Sequence, residues 1–324
     1  MPDLLAIVDG QEDALLAHEK GAAAVASAPL RAKIAQIVAQ ALAAFARLPA
    51  GADIEPLLRT VREQLAALGV AVSGALGSGI VASLVADFAA AYVLGFEHGN
   101  AQAFDVARKV TPRVLLPDDV QVAAENANKS ARDKLLDAAS KLVDVRSMPE
   151  LIAGLSRASQ AVQSVERAAS WGVNRAVASG VTAIAQEVGA SRLWVGERDA
   201  CLHCTAYMGE IADGDEPFPI GLTFAKKPLS LDPVPNPPLH PNCRCRLMIY
   251  RREWGSDVPD ALKREARRSV LRGFSLPTES AASRLDAAER LLLNGAGLPK
   301  TVEDRARRDI KRGEFARGRT VPRP

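Results

Sequence analysis

Apolar residues recur every three or four positions through most of the first 190 residues, the spacing of helices that bury one face. Residues 30–48 keep this rhythm with few polar interruptions (Arg31, Lys33, Gln36, Gln40 and Arg47). Asp53 is placed to cap a helix over 54–68, with Pro56 in the first turn, where a missing N–H costs least. The pattern continues over 84–110 and stops before Pro112. Pro117-Asp118-Asp119 opens a helix reaching about residue 143. Residues 149–188 then carry one long stripe that includes Leu151, Leu155, Val162, Val165, Ala169 and Val173. No repeat of 20–50 residues is present.

The pattern changes at about Ser191. Residues 192–196 (Arg-Leu-Trp-Val-Gly) and 246–250 (Arg-Leu-Met-Ile-Tyr) have the residue types of short strands. Between them, residues 217–241 hold eight of the 20 prolines, a density that excludes regular helix and interior strand. Helical spacing returns over 259–272, 281–293 (with Gly295 as a stop) and 301–315, and a basic tail at 316–324 is expected to fray. The expected fold is mainly α with a small zinc-stabilised α+β module. It comprises an Ala-rich helical N-terminal domain (1–145), a module with short antiparallel strands around a cysteine knot (146–255) and a basic helical extension (256–324).

Composition narrows the classes. The 324 residues are 48% hydrophobic and 24% charged, which excludes wholesale disorder, and the net charge of +3 excludes a polycation. Charge is unevenly spread: residues 251–324 hold 18 Lys+Arg against 11 Asp+Glu, while residues 1–250 carry a net −4. The basic end is either a solvated helical face or a surface for phosphate or an acidic partner. The N-terminus has no basic region ahead of its short apolar run and does not read as a secretory signal. Residues 65–86 lack any charge and are long enough to span a bilayer. They are rich in Ala, Gly, Ser and Val, so a buried helical hairpin broken at the glycines is expected, with no stable membrane span.

All four cysteines lie between positions 201 and 245. Cys201-x-x-Cys204 is followed, 35 residues on, by His240-Pro-Asn-Cys243-Arg-Cys245. Two cysteines three apart can face one ion from a tight turn, and a second short cluster closes a tetrahedral cage. Cys201, Cys204 and Cys243 are the firmest ligands, with His240 or Cys245 as the fourth; His203 is a further candidate. A metal clip also offsets the entropy of closing so long a proline-rich loop. Zinc is therefore the expected cofactor, with disulfides or plain thiols as the alternatives.

Catalytic patterns at the same residues fit poorly. Ala200, not proline, precedes Cys201, and His98 is followed by Gly99-Asn100, so the zinc-deaminase signature is absent. The second histidine of a zincin motif after His18-Glu19 would fall at Ala22. A redox Cys-x-x-Cys would need a βαβ setting, whereas Gly209, Gly214 and the proline tract follow here. A Cys243–His240 nucleophile pair is less natural than a shared ion. The strongest enzymatic alternative is a zinc-supported nuclease or other DNA-processing enzyme using His240, Asn236 or Asn242.

Residues 193–204 (Leu-Trp-Val-Gly-Glu-Arg-Asp-Ala-Cys-Leu-His-Cys), Tyr207-Met208-Gly209 and residues 238–246 (Pro-Leu-His-Pro-Asn-Cys-Arg-Cys-Arg) together resemble the phage Mu F-like head morphogenesis, or minor head protein, family. The resemblance spans roughly residues 160–250. The family's Arg-Thr-Glu triplet has no counterpart here, where Glu166-Arg167 is followed by Ala168, Ala169 and Ser170. What the resemblance implies is a non-enzymatic structural minor head protein. Its partners would be the portal and the major capsid or scaffold proteins, with non-specific contact to packaged DNA. It would reside in the virion, at the procapsid interior or portal vertex, and in the host cytoplasm during assembly. A membrane-inserting ejection protein is the alternative that residues 65–86 would support.

Overall fold

The computed structural model describes residues 4–49, 51–103, 112–241, 243–273 and 279–316, with side chains from Gly10 onward. Ten helices and three strands follow one another among these residues: α1 (Leu4–Ala46), α2 (Glu55–Ser73), α3 (Ala75–Ala103), α4 (Asp118–Ser140), α5 (Met148–Ser156), α6 (Ser159–Val188), β1 (Ser191–Val195), α7 (Leu202–Tyr207), β2 (Ile211–Asp213), β3 (Arg246–Tyr250), α8 (Asp257–Arg272), α9 (Ala281–Leu293) and α10 (Lys300–Lys311). The protein is mainly helical with one small antiparallel sheet, as its apolar spacing predicts.

The chain forms two compact units: one of residues 8–92 and 114–176, the other of 1–7, 93–113 and 177–324. They part the chain differently from the expected 1–145, 146–255 and 256–324. The last turns of α3 join the sheet's unit, and the C-terminal helices share that unit instead of standing apart.

In the first unit, α2 and α4 pack along their length. Leu58, Val61, Leu65, Leu68 and Val72 meet Val120, Ala124, Ala127, Ala131, Leu135 and Ala138 at alternating three- and four-residue spacing. Small residues let the backbones approach: an added Cβ at Gly69 would touch Leu136 at 3.4 Å, and one at Gly172 would strike the Phe88 ring at 2.2 Å. α1 starts well before residue 30 and runs through Pro29. Buried Ala22, Ala26, Leu30, Ile34, Ile37 and Ala41 hold the helix on both sides of that proline, outweighing one missing backbone bond. The 149–188 stripe is two helices, parted at Arg157-Ala158. Asp53 sits one residue outside the helix start: its carboxylate accepts the Glu55 N–H at 3.0 Å, while Ile54 occupies the cap.

The uncharged 65–86 run does break at its glycines, with α2 ending at Ser73 and α3 starting after Gly74. Among the described residues, α3 alone is long and apolar enough to cross a membrane; its most apolar window has mean hydropathy 1.8, and 39% of that window is buried within the protein. Residues 104–110, expected to extend this helix, lie outside the described residues.

The second unit is built on the sheet, ordered β2-β1-β3 and antiparallel throughout. Leu193 lies opposite Ile211 on one side and Met248 on the other. The residue pattern does not announce β2, because three residues after a glycine carry too little periodicity to mark a strand. β1 is buried along its whole length, so it shows no apolar–polar alternation. The end of α3 covers the far edge of β3, where Gln102 Oε1 accepts the Ile249 N–H at 2.8 Å. α6 then crosses α3 at Gly95 and Gly99, which face Val177, Val181 and Ile184. α8, α9 and α10 gather around Val270, Leu271, Ala287, Ala288, Leu292 and Ala306. α10 stops at Lys311, short of the expected 315; Phe315 and Ala316 are nevertheless buried, and the remaining tail, 317–324, lies outside the described residues.

The helix crossing gives opposite expectations for two glycines of α3. An added Cβ at Gly95 would lie 2.0 Å from the Val177 carbonyl oxygen, whereas Gly79 has open space. Gly95→Ala should destabilise the protein by about 1–3 kcal/mol, and Gly79→Ala should stabilise it by roughly 0.5–1 kcal/mol through helix propensity. Urea or thermal unfolding of the two variants reads both signs.

Candidate metal centre

Cys201 and Cys204 flank the first turn of α7. The Cys201 sulfur caps that helix, accepting the Cys204 N–H at 3.4 Å, so the Cys-x-x-Cys spacing turns both sulfurs to one side. The second half arrives on the extended chain leading into β3. There alternate residues point opposite ways, which sends Cys243 and Cys245 inward with Arg244 and Arg246 outward. The two halves meet. His240 Nε2 lies 2.9 Å from Cys201 Sγ and 3.2 Å from Cys204 Sγ, and the Cys204 and Cys243 sulfurs are 3.4 Å apart.

Two overlapping groups could each hold a metal ion: Cys201, Cys204 and His240, and Cys204, Cys243 and Cys245. All five sequence-predicted ligands are therefore brought together, with Cys204 common to both groups. The four cysteines are free thiols and buried, so the disulfide alternative does not describe this structure. Sulfurs bound to one tetrahedral ion at about 2.3 Å would sit roughly 3.8 Å apart, close to the spacing here. A cavity of about 10 Å³ lies among Glu197, Ala200, Arg244 and the five donors, the size of a single small ion or water. The donor set and the space both fit a metal ion.

Electrostatics points the same way. The Cys201 thiol is pulled down to about 4, first by its hydrogen bond with Cys204 and also by His240. His240 is pushed up to about 9, chiefly by its hydrogen bond to Cys201. Cys204 is driven up, first by Cys201 and then by Cys243, while Cys243 is driven down, first by Cys204. Packed thiols in an apolar core cannot all ionise without a positive charge among them, so they share protons. A divalent cation would replace those protons. His240 is also oriented to bind one. Its Nδ1 donates to the Pro241 carbonyl at 2.7 Å, which aims Nε2 at the cysteines, where a metal ion would take the place of the Nε2 proton.

Charged and aromatic residues surround the donors. Arg244 pairs with Asp199, and Arg246 pairs with Glu197 at 2.9 Å. Each bridge ties the Cys243–Cys245 segment to the loop just ahead of Cys201, so Asp199 holds the two halves of the motif together. Trp194 is fully buried; its ring lies 4.9 Å from Tyr207 and 5.1 Å from Phe218.

Arg192 is the larger surprise. It is wholly buried on β1, on the same strand face as Trp194, with its guanidinium 5.2 Å from the centre of the Phe218 ring. It donates to the Pro235 carbonyl at 2.7 Å, to the Glu216 carbonyl and to Asn236 Oδ1, and so fastens both ends of the proline-rich loop to the sheet. Burial lowers its pKa to about 10, so it remains cationic at neutral pH. The signal was the two-residue spacing, which puts Arg192 on one strand face with Trp194, where a buried guanidinium needs partners.

Other candidates lie elsewhere. His203 belongs to neither donor group; its Nδ1 is 3.0 Å from the Thr223 hydroxyl. Asn236, a residue of the nuclease alternative, is occupied by Arg192 and by Thr182 at 3.0 Å. Asn242 lies outside the described residues.

Comparison with protein families, with curated proteins and with solved structures finds no match in any of the three.

Replacing Arg192 with Leu should take the donor from the Pro235 and Glu216 carbonyls and one donor from Asn236 Oδ1, and cost about 3 kcal/mol. The loop between residues 214 and 238 should then be cut much faster by a protease under native conditions, with cleavage sites mapped by mass spectrometry.

Proposed function

We propose that the five-donor cluster is a structural zinc site, and that the chain is a non-catalytic minor head component of tailed-phage or prophage capsid assembly. The observation that supports this best is the meeting of the Cys-x-x-Cys and His-Pro-x-Cys-Arg-Cys halves at one buried centre. The Asp before the first half is paired with the Arg inside the second. These are the same elements on which the resemblance to the Mu F-like minor head family rests.

Thiolate and imidazole donors favour zinc over hard cations such as magnesium or calcium. Cys201, Cys204 and Cys243 would hold it, with His240 or Cys245 completing four-coordination. The near-complete burial of the sulfurs suits a structural site, which needs no open position for substrate. The ion's contribution is mechanical: it would pin two turns separated by the proline-rich loop. The portal and the capsid or scaffold proteins are the proposed partners. The basic residues of 251–324 would add weak, salt-sensitive attraction to packaged DNA without base recognition.

A second reading, a membrane-inserting ejection protein, draws on the apolar length of α3. Partition between detergent and aqueous phases separates the two: the head-protein reading expects the aqueous phase.

Elemental analysis of the purified protein should find about one zinc per chain. Cys201→Ser or Cys243→Ser should lose the ion and cost about 4 kcal/mol or more in stability, with falling solubility. A nuclease would behave differently, because Asp199→Asn or His240→Ala would then fold normally yet abolish DNA cleavage. Co-expression with a cognate portal and scaffold should place the chain in sedimenting procapsids; its exclusion from them would remove the head-assembly reading.

A further inference from the structure

The C-terminal helices are joined to the metal centre through Leu202 and the segment around it. Their apolar core takes in Leu202, which lies between Cys201 and His203 and is only 1% exposed. Cys201 and Cys204 belong to a different core, the one beneath the sheet with Trp194, Leu247 and Ile249. The six-residue helix α7 thus has two faces, sulfurs on one and Leu202 on the other.

Polar contacts converge on the same short stretch. The Leu202 N–H donates to Glu279 Oε1 at 3.0 Å, and its carbonyl accepts the Phe224 N–H at 3.0 Å. Arg290 of α9 donates to the carbonyls of Phe224 at 2.7 Å and Ala225 at 3.3 Å. From α8, Lys263 pairs with Glu210 at 2.9 Å, and the Ser269 hydroxyl donates to the Arg198 carbonyl. α8 also passes so close to Gly209 that a Cβ there would lie 2.4 Å from the Pro259 carbonyl oxygen. These anchor points all fall between residues 198 and 225, the segment that carries Cys201 and Cys204.

A helix of six residues has no stability of its own. α7 keeps its shape because its first turn is held: Cys201 caps it, Cys204 lies within it, and both sulfurs belong to the donor cluster. We propose that the metal centre acts as a latch for the C-terminal helices. With the ion bound, α7 is rigid, and Leu202 with its neighbours forms the seat on which α8, α9 and α10 dock. When the ion leaves, α7 loosens, the three helices undock together, and the apolar surfaces around Leu202, Phe224 and Leu292 become accessible. The inference rests on the metal reading given above. Coupling of this kind is reciprocal, so weakening the seat from the helical side must also weaken ion binding.

The test uses the full chain, with hydrogen exchange read by mass spectrometry and zinc counted by elemental analysis before and after a strong chelator. The latch expects amides of α8, α9, α10 and residues 198–225 to lose protection when zinc is removed, while β1, β3 and residues 177–188 of α6 keep theirs. Arg290→Ala, a substitution away from every candidate ligand, should bind one zinc as isolated yet release it to chelator about fivefold or more faster. Zinc loss with unchanged protection in α8–α10 would overturn the latch and leave the metal site standing. Equal loss throughout the sheet and α6 would overturn it too, as simple unfolding of the unit. A chain that contains no zinc and takes up none would overturn both the latch and the metal reading, and the zinc count tells that case apart.

Discussion

Five soft donor atoms from two segments 35 residues apart occupy one buried spot, and the join between α7 and the chain leading into β3 depends on keeping them there. Thiols in contact repel as they ionise and waste packing when they do not, so such a cluster makes physical sense around a cation. The geometry concentrates the constraint at few residues. α7 supplies two sulfurs because a helix start turns positions three apart to one side. The approach to β3 supplies two more because an extended chain turns positions two apart to one side.

The same alternation gives the outward residues a purpose. Arg244 and Arg246 reach back to Asp199 and Glu197, so charge outside the cluster repeats the link that the sulfurs make inside it. These pairs are partly exposed and individually weak. Arg192 is a different case. Its guanidinium is enclosed without a direct carboxylate partner and is satisfied by main-chain carbonyls, an amide oxygen and an aromatic face. A loop with eight prolines has few N–H groups with which to build its own structure. A buried cation that gathers carbonyls is a physical answer to that deficit.

The helices show how local and tertiary forces divide the outcome. Periodicity places α2, α4 and α9 to within a few residues, since each buries one regular stripe. It fails at α1, where proline normally ends a helix but a continuous buried face carries the backbone past Pro29. It fails again at residues 157–158, where the apolar stripe continues while the backbone turns.

The amino-acid order by itself determined the helical class, the two strands flanking the proline-rich loop and the five candidate donor residues. Each of these follows from spacing along the chain: three to four residues for helix, two for strand, three for a ligand pair. Tertiary structure alone decided the rest, namely the three-residue β2, the burial of Arg192, the outward ion pairs and the seat that Leu202 offers to the C-terminal helices. Those depend on which distant segments meet, and a contact between residues 202 and 224 or 192 and 235 leaves no periodic trace in the order of residues that make it.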